Sequence, residues 1–211
     1  MKLDEKVLPQ ETAILILDIQ NDFCHENGAF SKVLGWDAAP IRSIVPKLGL
    51  FVDEARARGC KIIWSQMMNH LTSSPSNLVE RLSVGFEKSA GNWPFGLAEG
   101  SWGWEIYNLK PAPTDVVLTK RYFDLLSVPG LLDQLRGVGI CTLVVAGVYT
   151  EVCIAATAQR GFSEGFNMVI PRDLVASVVH RTETAATVLG VVGGYCAEVT
   201  TSKEIVTAWQ K

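Results

Sequence analysis

The chain has 211 residues, 48% of them hydrophobic, enough for one compact domain with a full core. Its 19 basic and 22 acidic residues give a net charge of -3 with no dense block of either sign, which argues against a nucleic-acid partner. The amino-terminal MKLDEKVLPQET lacks the apolar stretch of a signal peptide, and no window reaches the roughly 20 apolar residues of a membrane span, so a cytoplasmic protein without membrane contact is expected.

Residues 12–19, TAILILDI, read as a first strand, buried on both faces, with a carboxylate near its end. From about 40 to 58 the apolar positions Ile41, Ile44, Val45, Leu48, Phe51, Val52 and Ala55 recur at helical spacing, and Gly59 is a stop signal. The segment CKIIWSQM follows as a second strand. After residue 113 the alternation resumes with strand DVVLTK (115–120), a helix near 129–136, strand CTLVVAGV (141–148), a helix from about 151 and strand NMVIPRD (167–173). A helix near 181–190, a short strand around 195–199 and a terminal helix complete the chain. Strand and helix in alternation predict right-handed crossovers and a parallel sheet covered by helices on both faces. Residues 69–113 interrupt this rhythm. They are rich in Gly, Pro, Ser and Asn and carry Trp93, Phe95, Trp102, Trp104 and Tyr107, the character of a lid, pocket wall or subunit contact inserted into the single domain spanning 1–211.

Five cysteines, Cys24, Cys60, Cys141, Cys153 and Cys196, are odd in number and contain no C-x-x-C pair, which suits free thiols in a reducing compartment. Cys60, Cys141 and Cys196 lie in or beside apolar strands and are expected in the core. In an open parallel sheet ligands gather beyond the carboxyl ends of the strands. Three polar residues end strands there: Asp18 after AILIL, Lys120 after DVVLT, and Cys153 just past LVVAGVYTEV. Cys153 falls at the expected start of the helix TEVCIAATAQRGF, where unpaired amides and the helix dipole favour a thiolate. A carboxylate at Asp18 can accept the thiol proton and later protonate a departing nitrogen, and Lys120 can hold both charges in place.

Other readings exist for the same residues. Cys24, His25 and His70 suggest a metal site, but their spacing fits no familiar zinc pattern, so no metal and no cofactor are expected. A Cys–His dyad using His25 is the rival mechanism. Asp18 as a turn cap and Lys120 as a solvated strand end are the bland alternatives.

The blocks DIQNDF (18–23), LTKRYFD (118–124) and AGVYTEVCIAATAQRGFSEGFNMVIPRD (146–173) resemble the three signature blocks of the isochorismatase-like cysteine hydrolases, in order, over about residues 12–200. The resemblance implies a doubly wound three-layer α/β fold, Rossmann-like, with Asp18, Lys120 and Cys153 as the catalytic triad. It further implies a cis peptide between Val148 and Tyr149 that turns the amides of Tyr149 and Cys153 toward the substrate oxygen as an oxyanion hole. It implies thioester chemistry on a small amide and a homodimer or homotetramer. Phe23, Trp102 and Tyr149 are the expected pocket walls. The region WSQMMNHLTSS lacks the Asp-x-His and following His of metal-dependent nicotinamidases, and the cysteine itself argues against the vinyl-ether chemistry of relatives that act on isochorismate. The stretch SWGWEIYNLKPAPTDVVLTKRY is similar to ureidoacrylate and biuret hydrolases, which makes a small carbamoyl or ureido compound the expected substrate class; the DLLSVPGLL that follows departs from them. A non-catalytic binding protein or a thiol redox sensor on the same fold is the reading from another class. No second cysteine adjoins Cys153 to resolve an oxidised sulfur, and no triad member has been lost.

Overall fold

The computed structural model describes residues 1–68, 74–80 and 97–210. Its centre is a seven-stranded parallel sheet: β1 (Thr12–Leu17), β2 (Lys61–Met67), β3 (Val116–Lys120), β4 (Thr142–Val148), β5 (Asn167–Pro171), β6 (Val175–Ala176) and β7 (Glu198–Thr200). The order is β3-β2-β1-β4-β5-β7, with β6 paired to β4. Chain order reverses at β1, so β1 and β4 lie side by side at the centre, from Thr12 opposite Thr142 to Leu17 opposite Gly147.

Side chains on a strand alternate faces, and β1 divides accordingly. Ile14 and Ile16 enter one core with Val144, Ala146 and Val148 of β4, whereas Ala13, Leu15 and Leu17 enter the other with Leu143 and Val145. Helix α1 (Ala39–Ala57) covers the first face with the seven apolar residues expected from its spacing, joined by Ile205 of α5 (Ser202–Ala208) and by Trp209. Helices α2 (Leu131–Gly137), α3 (Ala155–Ser163) and α4 (Thr182–Tyr195) cover the second, through Leu131, Leu135, Ala155, Ala158 and Val192. Each fully buried Leu or Ile contributes roughly 1.5–3 kcal/mol over exposure, so a sheet clothed on both sides draws its stability from both layers. The three-layer α/β architecture is the one the alternation implied.

The differences from the sequence reading are local. The carboxy-terminal strand is Glu198–Thr200 rather than 195–199, because α4 continues to Tyr195 through the Gly193–Gly194 pair. Short helices at Asn21–Cys24 and Ala29–Leu34, and the two-residue β6, were not anticipated. Cys60 is buried, but Cys196 is only half-buried, and Cys141 is exposed because β4 begins one residue after it, at Thr142. Of the 69–113 segment, Trp102–Trp104 form a single 3-10 turn, while His70, Trp93 and Phe95 lie outside the described residues. Among the described residues no helix is long and apolar enough to cross a membrane.

Candidate active site

The carboxyl ends of β1, β3 and β4 face one rim, and each delivers one polar side chain. Asp18 follows β1 with φ 56°, a left-handed conformation uncommon outside glycine, and its amide donates to Ser65 O. The close approach of β4 is made by Gly147, whose φ of 112° and lack of a side chain let it lie against Leu17; a Cβ there would overlap Leu17 O and N. The rim therefore depends on a glycine at the strand pair that carries both Asp18 and the Cys153 turn.

Lys120 ends β3 and is 1% exposed, as is Asp18; Cys153 is 6% exposed. Lys120 Nζ lies 2.8 Å from Asp18 Oδ2 and donates to Cys153 Sγ at 3.3 Å. It also donates to the carbonyls of Tyr122 (3.1 Å) and Phe123 (2.9 Å). Ser65 Oγ donates to Asp18 Oδ1 at 2.7 Å, which fixes that oxygen and leaves Oδ2 facing the ammonium. Asp18, 102 positions before Lys120, and Cys153, 33 positions after it, thus meet the lysine at one buried point.

The electrostatics follow from burial first. Desolvation would lower the Lys120 ammonium, but the Asp18 carboxylate and the Cys153 sulfur outweigh it, and the net shift is upward. Burial pushes the Cys153 thiol up to about 12; Lys120 opposes this and Asp18 adds to it. This corrects the expectation of a resting thiolate. Cys153 sits in a five-residue π-turn, Thr150–Ile154, ahead of α3, and at that depth loss of solvent exceeds what the ammonium returns. Burial thus favours the neutral thiol of Cys153, which lies beside the Asp18–Lys120 pair.

The Val148–Tyr149 peptide is cis. Tyr149 is buried, with its ring edge-on to Phe23 at 5.4 Å and near Phe30 and Trp36. Phe23 and Tyr149 therefore pack against one another. Trp102 does not join them: it is 48% exposed, and its ring lies edge-on to His25. His25 accepts from Asn27 N through Nδ1 and contacts Trp102 and Tyr107; it is not among the groups that act on the Cys153 thiol. Cys24 is fully buried and its thiol is raised by burial. Among the described residues no group of three or more His, Cys, Asp or Glu is arranged to hold a metal.

The sequence reading missed what the rest of DIQNDF does. Gln20 accepts from Met67 N (2.7 Å) through Oε1 and donates to Met67 O (3.1 Å) and Trp104 O (3.0 Å) through Nε2; Gln66 also donates to Trp104 O. Asn21 donates to Trp102 O from its side chain and to Glu105 O from its backbone. Asp22 accepts from Ala29 N and packs so closely on Gly103 that no Cβ fits there. These buried polar side chains fasten the Trp102–Tyr107 segment to the rim. The signal was present as adjacent polar residues directly after a buried strand.

A model of the isochorismatase domain matches residues 12–204. The chain belongs to the isochorismatase family of hydrolases. Its structure superimposes on a cysteine hydrolase from Pseudomonas syringae pv. phaseolicola 1448A with a TM-score of 0.82 at 21% identity, covering 97% of this chain and 95% of that one. It is also similar to an N-carbamoylsarcosine amidase from Thermoplasma acidophilum (TM-score 0.68, 21% identity, 91% and 96% coverage) and to a nicotinamidase from Bacillus subtilis (TM-score 0.68, 22% identity, 90% and 99% coverage). At these identities the likeness is one of fold.

Proposed function

We propose that this hydrolase is a cysteine-dependent amidohydrolase that cleaves the C–N bond of a small amide, carbamoyl or ureido compound without a cofactor. The observation that carries the reading is the single ammonium of Lys120 bridging Asp18 Oδ2 at 2.8 Å and Cys153 Sγ at 3.3 Å, all three side chains out of water. The named amidases of the same fold agree with it.

Burial raises the Cys153 thiol far enough to favour its neutral form at neutral pH, so proton removal accompanies attack. Asp18 Oδ2 accepts the thiol proton as the sulfur bonds to the carbonyl carbon. Lys120 stabilises the sulfur while negative charge builds on it. The carbonyl oxygen, now an oxyanion, takes hydrogen bonds from the amides of Tyr149 and Cys153, donors of a kind whose individual loss costs about 10²- to 10³-fold in rate. Collapse breaks the C–N bond, and the proton held by Asp18 passes to the leaving nitrogen. A water molecule deprotonated by the same carboxylate then attacks the thioester, and the acid and free thiol are released.

The test is ammonia release from a panel of ureides, carbamoyl acids and primary amides, with mass spectrometry of the quenched protein for an acyl adduct on Cys153. Turnover by the native protein, absent from folded Cys153→Ala and Cys153→Ser, is the expected result. Ammonia release that persists unchanged in Cys153→Ala rejects the mechanism.

A further inference from the structure

The turn that carries the sulfur presents a second buried polar group that the chemistry above leaves unused. Glu151 lies two residues before Cys153, with its side chain 7% exposed. Its Oε1 accepts from Ser177 Oγ at 2.9 Å and lies 3.6 Å from the Arg181 guanidinium, but its Oε2 is buried with no hydrogen-bond partner. The Tyr149 hydroxyl is likewise buried and unpartnered. It lies within electrostatic reach of Cys24, Cys153, Arg181 and Glu151. Buried polar atoms are paired in the great majority of cases; these two orphans belong to residues within four positions of Cys153 in the chain, and an unfilled recognition site leaves such atoms behind.

Charge restricts what fills it. The charged side chains acting on Cys153 and Tyr149 are Asp18, Lys120, Glu151 and Arg181, two of each sign. Lys120 is committed to Asp18. Arg181 faces Glu151 and is held 4.5 Å over the Trp36 ring, whose centroid is 6.0 Å from that of Tyr149. Among the described residues, neither cation stands uncompensated to receive a substrate carboxylate, while a carboxylate oxygen and a phenol hydroxyl are buried without a hydrogen-bond partner.

We propose that Glu151 Oε2 and the Tyr149 hydroxyl are the specificity-determining pair of this site, and that its substrate is an uncharged, N–H-rich ureide or diamide rather than a carbamoyl acid. The inference rests on the cysteine-hydrolase reading for which bond is cut. It concerns separately what holds the far end of the molecule. A terminal amide donates to Glu151 Oε2, and its neighbouring carbonyl accepts from Tyr149. A terminal carboxylate in the same place meets Glu151 with like charge.

The experiment is binding, so that it stands apart from turnover. Cys153→Ala is titrated calorimetrically with N-carbamoylglycinamide and with N-carbamoylglycine, molecules of equal size that differ by an amide against a carboxylate. The amide is expected to bind at least about tenfold tighter, the scale of one hydrogen bond to a charged group. Adding Glu151→Gln, which places a donor where an acceptor stood, is expected to weaken the amide about tenfold and to leave the acid unchanged or improved. Tyr149→Phe, which keeps the ring and backbone amide, is expected to weaken the amide several-fold. Equal or tighter binding of the acid, binding of neither compound, or an equal effect of Glu151→Gln on both overturns the proposal. Turnover surviving in Cys153→Ala strikes instead at the catalytic reading and leaves this measurement interpretable.

Discussion

Lys120 Nζ and Asp18 Oδ2 lie 2.8 Å apart with both side chains essentially sealed from solvent. Burying either charge alone is costly, and removing one partner of such a pair typically destabilises by 3–5 kcal/mol. Lys120→Met should therefore abolish turnover and also lower the unfolding free energy measured by urea denaturation by about 3–5 kcal/mol. The double variant Lys120→Met/Asp18→Asn should recover part of that stability with no recovery of activity. A single variant as stable as the native protein would show that the pair is not electrostatically coupled.

Asp18→Asn separates nucleophile reactivity from catalysis. Asp18 raises the Cys153 thiol and Lys120 lowers it, so neutralising the carboxylate leaves the ammonium acting alone on the sulfur. The variant should lose about 10²- to 10⁴-fold in kcat, the usual worth of a general acid–base group. Alkylation of Cys153 by iodoacetamide at pH 8 should become faster in the same protein. Slower alkylation would mean that Asp18 lowers the thiol, contrary to its placement.

These two residues also show how far the sequence is legible. β1 and β4 are unbroken apolar runs, and α1 announces itself by seven apolar positions at helical spacing, so the sheet and its strand-end polar residues can be read directly. The thiol's protonation state cannot: it is set by how deeply distant elements bury Cys153, and the local helix-start pattern points the opposite way. Cys141 was misplaced for a related reason, since an apolar run does not reveal which of its residues projects past the first ladder pair. β6 is two residues long within DLVASVV and pairs with β4 only in three dimensions. The Glu151–Ser177 contact depends on that pairing and leaves no local trace.

Gly147→Ala should be among the most damaging small substitutions in the chain. The residue holds φ 112°, and the added methyl would overlap the Leu17 backbone on the neighbouring central strand. Strained conformations of this type cost roughly 1–3 kcal/mol before any clash is counted. Loss of soluble protein, or a fall in the unfolding free energy of at least that size, is expected; native-like stability would show that the β1–β4 approach has room for a methyl group.

Asp115 contributes to the acid dependence of stability. Burial favours its neutral form, but hydrogen bonds from Arg56, Trp64 Nε1 and Ala112 N, together with the charge of Arg56, prevail and lower its pKa. A carboxyl that is more acidic in the folded state contributes stability above its unfolded pKa, near 3.9, and loses it as pH falls through the folded value. Asp115→Asn should therefore be clearly less stable than the native protein at pH 7, with the gap narrowing below about pH 4 in chemical denaturation. A gap that stays constant with pH would remove the charge from the account.

The position of β3 has a consequence for how the chain assembles itself. β3 is not adjacent to β1; β2 lies between them, and Met67 is the register partner of Lys120. Two strand spacings of about 4.8 Å separate the lysine backbone from β1, after which Asp18 follows, a gap that neither side chain spans alone and that Lys120 and Asp18 close by reaching toward one another. Sliding β3 by one residue would swing the ammonium to the opposite side of the sheet and strand the Asp18 charge in hydrocarbon. The ion pair thus penalises misalignment of the edge strand, and correct threading of β3 and assembly of the Asp18–Lys120–Cys153 cluster become one event.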